Sequence, residues 1–251
     1  MNAVRRTTLT LAAAVAAMAP ALRAQIPGMP LFTNPRYATG VRVHADFGRP
    51  TSQQIPGVDN TVIEAGAGFV LGPIGIDANV GTLRASIKDA QTCQATPTAC
   101  NTKTKVSASA LAQLRFAGGG RAAYSVSAFG GASMDFTAYD AASLTAAQAA
   151  ALGIDTSKAL TIPLGLAIGY HIPLGVASLN LWGAPRYVIY KAMHCGSACP
   201  TGLNMFRWAI GADIPIFKLF SVRAAYDSGS KNGFTSSFWG VGASFGIGGM
   251  R

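Results

Sequence analysis

The most regular feature of the chain is an alternation of apolar with small or polar residues that begins near residue 36. Within 206–214, for example, every second residue from Phe206 is apolar, whereas Arg207 and Asp213 lie at the positions between. Because successive side chains of a strand point to opposite faces, a period of two predicts strands with one apolar face. The same pattern recurs in 106–116, 161–171, 219–227 and 239–247.

The connections between these segments alternate in length. Tight turns rich in Pro and Gly, which favour sharp reversals of the backbone, fall at 71–75, 117–121, 172–175 and 214–218. Longer polar connections fall at roughly 48–60, 88–104, 137–159, 191–203 and 228–235. Because long and short connections follow one another strictly, the pattern predicts ten antiparallel strands in a closed up-and-down transmembrane β-barrel over residues 36–247, with both termini on the tight-turn side.

Charged side chains within the strand segments share the face that carries Gly and Ser. In a membrane barrel this face lines the lumen and the apolar face meets lipid, whereas a soluble sandwich has the apolar face inside. Ion pairs between small residues are expected in such a narrow lumen. The predicted lumen residues are Arg42, His44, Asp46, Glu64, Asp77, Asn79, Arg115, Asp135, Arg186, Arg207, Asp213, Arg223 and Asp227.

Aromatic residues on the apolar face lie near the ends of the strand segments. One group adjoins the tight turns: Phe69, Phe116, Tyr124, Tyr170, Phe220 and Phe245. The other adjoins the long connections: Phe47, Phe136, Tyr187, Phe206, Trp208, Tyr226 and Trp239. Two aromatic girdles with smaller aliphatic residues between them are typical of the two interfaces of a membrane.

Two strand segments are less regular. The alternation slips near Gly81, which predicts a β-bulge there. In 177–190, Trp182 falls on the lumen face and Pro185 interrupts the ladder, which predicts a bulge or an early end of the strand. If one hairpin were absent the barrel would have eight strands. In the loop 137–159, the stretch 143–153 has a Ser cap, several Ala and a closing Gly, and it predicts a short helix.

The first 24 residues have the features of a secretory signal peptide. Arg5 and Arg6 precede an apolar stretch that ends before Pro20, and Ala24 precedes an acceptable cleavage site. The apolar stretch is shorter than the roughly 20 residues of a spanning helix, so an uncleaved anchor is the weaker alternative. We therefore divide the chain into a signal peptide (1–24), a periplasmic segment (25–35), the barrel (36–247) and a tail (248–251).

Composition agrees with a membrane location. Charged residues make up 12% of the chain and apolar residues 50%, and Glu64 is the single glutamate. The net charge is +10, but the basic residues are scattered and form no cluster interleaved with aromatics, which argues against a nucleic-acid partner. Mild attraction to anionic lipopolysaccharide or phospholipid headgroups is the expected consequence.

Four cysteines occur in the predicted exported part, and they form two local pairs. Because export favours disulfides, we expect bonds between Cys93 and Cys100 and between Cys195 and Cys199. The rival interpretation is a zinc site that includes His194. That site would require two distant loops to converge, so no metal is expected.

Together these features resemble the small outer-membrane β-barrel proteins of the OmpA-type and opacity-type group, over about residues 36–247 and in architecture alone. The resemblance implies a bacterium with two membranes, Sec-type export, and insertion by the barrel-assembly machinery. Members commonly end in an aromatic residue that this machinery reads. Here six residues follow Phe245, so either the signal is internal or the last strand extends further.

The sequence contains no nucleotide-binding or hydrolase motif, and no feature indicates a cofactor or a particular oligomer. The main hypothesis is therefore a non-enzymatic outer-membrane protein with a structural or surface-presenting role. A narrow, weakly selective channel is the first alternative, since the lumen arginines could form an anion pathway. The second is a hydrolase at the outer rim in which His44 and Asp46, two residues apart on one strand, activate water.

Overall fold

The computed structural model describes residues 29–35, 39–51, 58–87, 103–119, 122–135, 158–174, 177–193, 204–217, 219–231 and 234–247. Within these ranges the chain forms ten strands. They are β1 (Gly40–Pro50), β2 (Val58–Leu71), β3 (Ile74–Ile87), β4 (Lys103–Gly118), β5 (Tyr124–Asp135), β6 (Lys158–Leu174), β7 (Ala177–Met193), β8 (Met205–Phe217), β9 (Phe220–Lys231) and β10 (Phe234–Ile247).

The strands form one closed ring. Each pairs antiparallel with its neighbours in sequence, and β1 pairs with β10 from Val41↔Ile247 to Pro50↔Phe238. Closure leaves no strand edge, so backbone N–H and C=O groups are paired around the ring, as a hydrocarbon environment requires. The prediction of a closed antiparallel barrel with ten strands is confirmed. None of the described residues belongs to a helix long and apolar enough to span a membrane.

The two faces of the ring differ sharply in chemistry. Outward side chains are apolar and exposed, such as Val80 at 58% and Ile168 at 55%. Inward side chains include charged residues that are fully buried, such as Arg207 at 0%. Outward aromatics near the long connections meet in pairs: ring centroids of Phe47 and Trp239 lie 5.7 Å apart and those of Trp208 and Tyr226 lie 5.5 Å apart.

The bulge predicted near Gly81 and the bulge or early strand end predicted at Pro185 are both wrong, whereas the predicted interruption of the ladder at Pro185 is present on the β6 side. The registers of β2 with β3 and of β3 with β4 run without a shift through Gly81. The apparent slip arises because Leu83 faces inward, where it packs with Met29 and Val62. Strand β7 continues through Pro185, which pairs with Trp208, and its register with β6 is the same on both sides of the proline.

The described strands contain register shifts at other places. One lies between Arg115 and Ala117 of β4 and the other between Pro215 and Phe217 of β8. Both shifts are at the tight-turn end. The fifth long connection, predicted at 228–235, is also wrong, because β9 extends to Lys231 and β10 begins at Phe234. Only two residues therefore separate the last two strands.

Residues 29–35, which we call the lumen segment, lie inside the ring of strands. Thr33 is 0% exposed, and Met29 packs in a cluster with Val62 and Leu83 on the inward faces of β2 and β3. Residues 25–35 were predicted to lie in the periplasm, and the described part of that range has a different position. The reason is packing: the lumen has its own apolar cluster, which Leu31 and Phe32 cover.

Several sequence predictions fall outside the described residues. They are the signal peptide 1–24, residues 25–28 of the predicted periplasmic segment, the cysteine pairs 93–100 and 195–199, His194, the loop helix 143–153, Phe136 and the tail 248–251.

Candidate functional site: the barrel lumen

The lumen is the candidate site because the strands direct their charged side chains there. Small residues on the same face give these side chains room. A Cβ on Gly68 would lie 2.8 Å from the Arg42 side chain, and one on Gly66 would lie 2.6 Å from the His44 ring. The glycines of the polar face therefore let large polar side chains lie flat against the barrel wall.

The first group of lumen residues, the Asp46 network, contains Arg42, His44, Asp46, Asp77 and Arg223, from β1, β3 and β9. Arg223 Nε donates to Asp46 Oδ1 at 2.7 Å, and its Nη2 contacts Asp46 Oδ2. Arg42 donates to Asp77 Oδ2 through Nη2 at 2.7 Å and through Nε at 3.1 Å. Charge-assisted, two-point contacts of this kind fix the geometry of both partners.

His44 joins the two halves of the Asp46 network. Its Nδ1 lies 2.8 Å from Asp46 Oδ2 and 2.7 Å from Arg223 Nη2, and its Nε2 lies 2.8 Å from Asp77 Oδ1. In either tautomer both ring nitrogens have polar neighbours, so neither is available to take a proton from water. His44 also pairs with Gly66, in the middle of β2, and with Ser244, three residues before the tight-turn end of β10, so it lies away from the outer rim that the hydrolase hypothesis requires.

The second group, the Asp227 triad, contains Arg186, Arg207 and Asp227 from β7, β8 and β9. The side chains of all three are 0% exposed. Arg207 Nε donates to Asp227 Oδ1 at 2.9 Å, and Arg186 Nη2 contacts Asp227 Oδ2. Arg207 also donates through Nη1 to Ser236 Oγ at 2.7 Å. One buried carboxylate thus faces two guanidinium groups that are neighbours across β7 and β8.

Two other predicted lumen residues, Asp135 and Asp213, have partners outside the predicted set of lumen ion pairs. Asp135 forms an ion pair with Lys105 and accepts a hydrogen bond from Ser107 at 2.9 Å. Asp213 accepts a hydrogen bond from Trp182 Nε1 at 2.7 Å. Lys105 lies two positions before Ser107, so extending the alternation by one step would have found it.

Arg115 is the predicted lumen residue closest to the tight-turn mouth. It is half-buried and donates to the carbonyl oxygen of Gly72 at 3.3 Å. It belongs to neither the Asp46 network nor the Asp227 triad.

Glu64 lies beside the Asp46 network without joining it. It is 7% exposed, and no hydrogen bond or ion pair links its carboxylate to another described residue. It lines a cavity of about 70 Å³ together with Asn79, Ser133 and Phe32. Among the described residues no group of three or more His, Cys, Asp or Glu side chains is arranged to hold a metal ion.

The lumen segment contributes side chains to the same space. The backbone N–H of Leu31 donates to Asp227 Oδ2 at 3.3 Å, and the Arg223 guanidinium lies 4.4 Å from the centroid of the Phe32 ring. The segment therefore contacts both the Asp46 network and the Asp227 triad. Its position was not predicted from the sequence, because 29–35 contains Pro30 and Pro35 and has no strand alternation.

The fold is similar to solved outer-membrane proteins. The β domain of the Bordetella autotransporter BrkA matches at 12% identity and a TM-score of 0.51, covering 84% of this chain and 100% of that one. The COG4313 outer membrane channel from Pseudomonas putida F1 matches at 7% identity and a TM-score of 0.50, covering 87% and 100%.

No family model matches the sequence, and no curated protein matches it. At such low identity the likeness to solved structures concerns the fold alone. The chain therefore forms a closed ten-stranded β-barrel that resembles small bacterial outer-membrane barrels in architecture alone.

Proposed function

We propose that this protein is a non-enzymatic outer-membrane protein that stabilises the envelope or presents its external loops. The observation that carries the proposal is the state of the lumen polar groups. The charged side chains of the Asp46 network and of the Asp227 triad face one another in ion pairs rather than facing an open path or a free nucleophile. A charged side chain that is fixed in a buried ion pair stabilises the barrel and is not available for catalysis or for binding a solute.

The geometry of His44 argues against the hydrolase alternative. A general base needs a free lone pair within hydrogen-bond reach of the water it activates. The two ring nitrogens of His44 are occupied by Asp46, Arg223 and Asp77. The residue is also only 7% exposed, which leaves no room for a lipid or peptide substrate.

The contents of the lumen argue against an open channel. A barrel of about eight strands has an interior that side chains fill, and ten strands widen it only slightly. Here the lumen segment occupies part of that space, and the described cavity beside it measures about 70 Å³. A solute path would need a continuous opening from one mouth to the other.

The first test measures conductance. The purified folded protein, inserted into planar lipid bilayers, is expected to leave the current at the baseline of the protein-free membrane. Reproducible conductance steps from the wild-type protein would favour the channel alternative and contradict this proposal.

The second test separates a structural role from an enzymatic one. A deletion strain of the source bacterium is expected to become more sensitive to detergent, because the envelope loses an integral barrel. Complementation with His44→Gln should restore resistance as fully as the wild-type protein or the matched control Trp239→Phe, at equal amounts of folded protein. If His44→Gln alone did not restore detergent resistance, the result would support the hydrolase alternative.

A further inference from the structure

The lumen segment follows a defined path through the barrel. Pro35 lies beside Gly169 and Ser125 near the tight-turn end, and Leu31 reaches Asp227 at the middle of β9. Met29 packs against Leu83, four residues before the end of β3 at the long-connection side. The segment therefore runs from the tight-turn mouth toward the other mouth, lengthwise through the lumen.

The lumen wall offers an apolar surface to this segment. Phe129, Trp182, Ala167, Ala184, Ala209 and Ala225 form a buried cluster on the inward faces of β5 to β9. Leu31 and Phe32 pack against it, together with Leu111. Apolar side chains on an otherwise polar lumen face have no lipid to meet, so their burial depends on a partner inside the barrel.

Polar contacts and glycines fix the position of the segment. Besides the Leu31 hydrogen bond to Asp227, the side chain of Asn34 hydrogen-bonds to Asp213. A Cβ on Gly240 would lie 2.8 Å from Pro30 Cδ, and one on Gly169 would lie 2.8 Å from Pro35 Cγ. Two inward glycines thus leave the space that the two proline rings fill.

We propose that the lumen is a binding groove for an extended, apolar, proline-containing peptide, and that its resident ligand is the lumen segment, which closes the barrel as a plug. Apolar packing, charge-assisted hydrogen bonds and the Arg223–Phe32 contact all favour this ligand over bulk water. Besides its structural role, the lumen then has a resident ligand and, when that ligand is removed, a pathway through the barrel.

The experiment removes the ligand and then returns it. In the plug variant, residues 29–35 are replaced by seven alternating Gly and Ser residues, which keep the chain length and remove the packing. The control variant carries the same replacement at 143–149, in the predicted loop. In planar bilayers the plug variant is expected to give conductance steps, whereas the wild type and the control variant stay at the baseline.

A synthetic peptide with the sequence of residues 29–35 should then close the steps of the plug variant. The same peptide with Leu31→Ala and Phe32→Ala should leave them open at equal concentration. A folded plug variant without steps, or equal block by both peptides, would overturn the proposal. Steps from the wild-type protein that the plug replacement does not change would overturn both this proposal and the closed barrel proposed above.

A cross-link tests the position of the segment if the plug variant fails to fold. In a chain whose four cysteines are replaced by Ser, Met29→Cys with Leu83→Cys is expected to form a disulfide on oxidation, detected by mass spectrometry. The matched pair Met29→Cys with Val80→Cys should not, because Val80 faces outward. Absence of the Met29–Leu83 link in the folded barrel would place the segment outside the lumen and refute the proposal.

Discussion

At the scale of single residues, the lumen is stabilised by charged side chains that each contact several partners. Asp227 is the clearest case, because its carboxylate meets Arg186, Arg207 and the backbone N–H of Leu31. Removal of one partner from a buried ion pair is far more costly than the net contribution of the pair, since the remaining charge stays desolvated. Asp227 therefore connects three strands and the lumen segment.

Substitution of this carboxylate provides the first prediction at this scale. Asp227→Asn is expected to lower the free energy of unfolding by about 3–5 kcal/mol, because two buried guanidinium groups lose their counter-charge. The measurement is urea-induced unfolding of the barrel in lipid vesicles, followed by tryptophan fluorescence. The control is Arg84→Gln, an exposed change expected to stay within about 0.5 kcal/mol. Equal effects of the two variants would contradict the assigned role of Asp227.

At the scale of strands, pairing with both neighbours keeps β7 continuous in spite of the low strand propensity of Pro185. Proline lacks a backbone donor, which is why the sequence indicated an interruption at Pro185. The observed strand runs past it because β7 holds its register with both neighbours, although no pairing of Pro185 with Leu166 of β6 is present. The ladder between β6 and β7 lacks two residue pairs beside the proline, Leu166 with Pro185 and Ala167 with Ala184, and the topology is unchanged.

The absence of a backbone hydrogen bond from Pro185 to β6 gives a prediction for β7. Pro185→Val supplies an N–H toward β6 and is expected to stabilise the barrel by about 0.5–1.5 kcal/mol, the net value of one hydrogen bond. Unfolding of the variant in the same vesicles measures the change. Leu181→Val, another outward substitution on the same strand that adds no donor, should not stabilise. A destabilised Pro185→Val would mean that the backbone at this position cannot use the new donor.

The sequence predicts local strand structure, but it does not predict which distant segments pack together. Period-two alternation predicted the strands and their faces, because it follows from backbone geometry alone. Pairing with a distant segment leaves no such period, so the lumen segment was missed. The sequence signal for the lumen segment was the presence of Phe129, Trp182 and Leu83 on the polar face. These apolar side chains need a partner inside the barrel, but alternation cannot identify that partner.

At the scale of the whole molecule, closure explains the distribution of residue types. Ten strands form a ring without edges, so the backbone is satisfied and the outward face can be apolar throughout its middle. The charges turn inward, where those of the Asp46 network and of the Asp227 triad pair with one another, and the lumen segment occupies part of the space that remains. The low charged fraction of 12% follows from this arrangement, since little of the described surface needs to face water.

The central claim, that the apolar face of the ring contacts hydrocarbon, is tested most directly by tryptophan quenching with brominated lipids. The chain has three tryptophans, and single-tryptophan variants can be made with Phe at the other two positions. Trp208 and Trp239 face outward at 40% and 38% exposure, whereas Trp182 is 4% exposed inside the lumen. Strong quenching of Trp208 and Trp239 with little quenching of Trp182 is the predicted result. Quenching of Trp182 alone, or of none of the three in a protein that stays soluble without membranes, would contradict the claim.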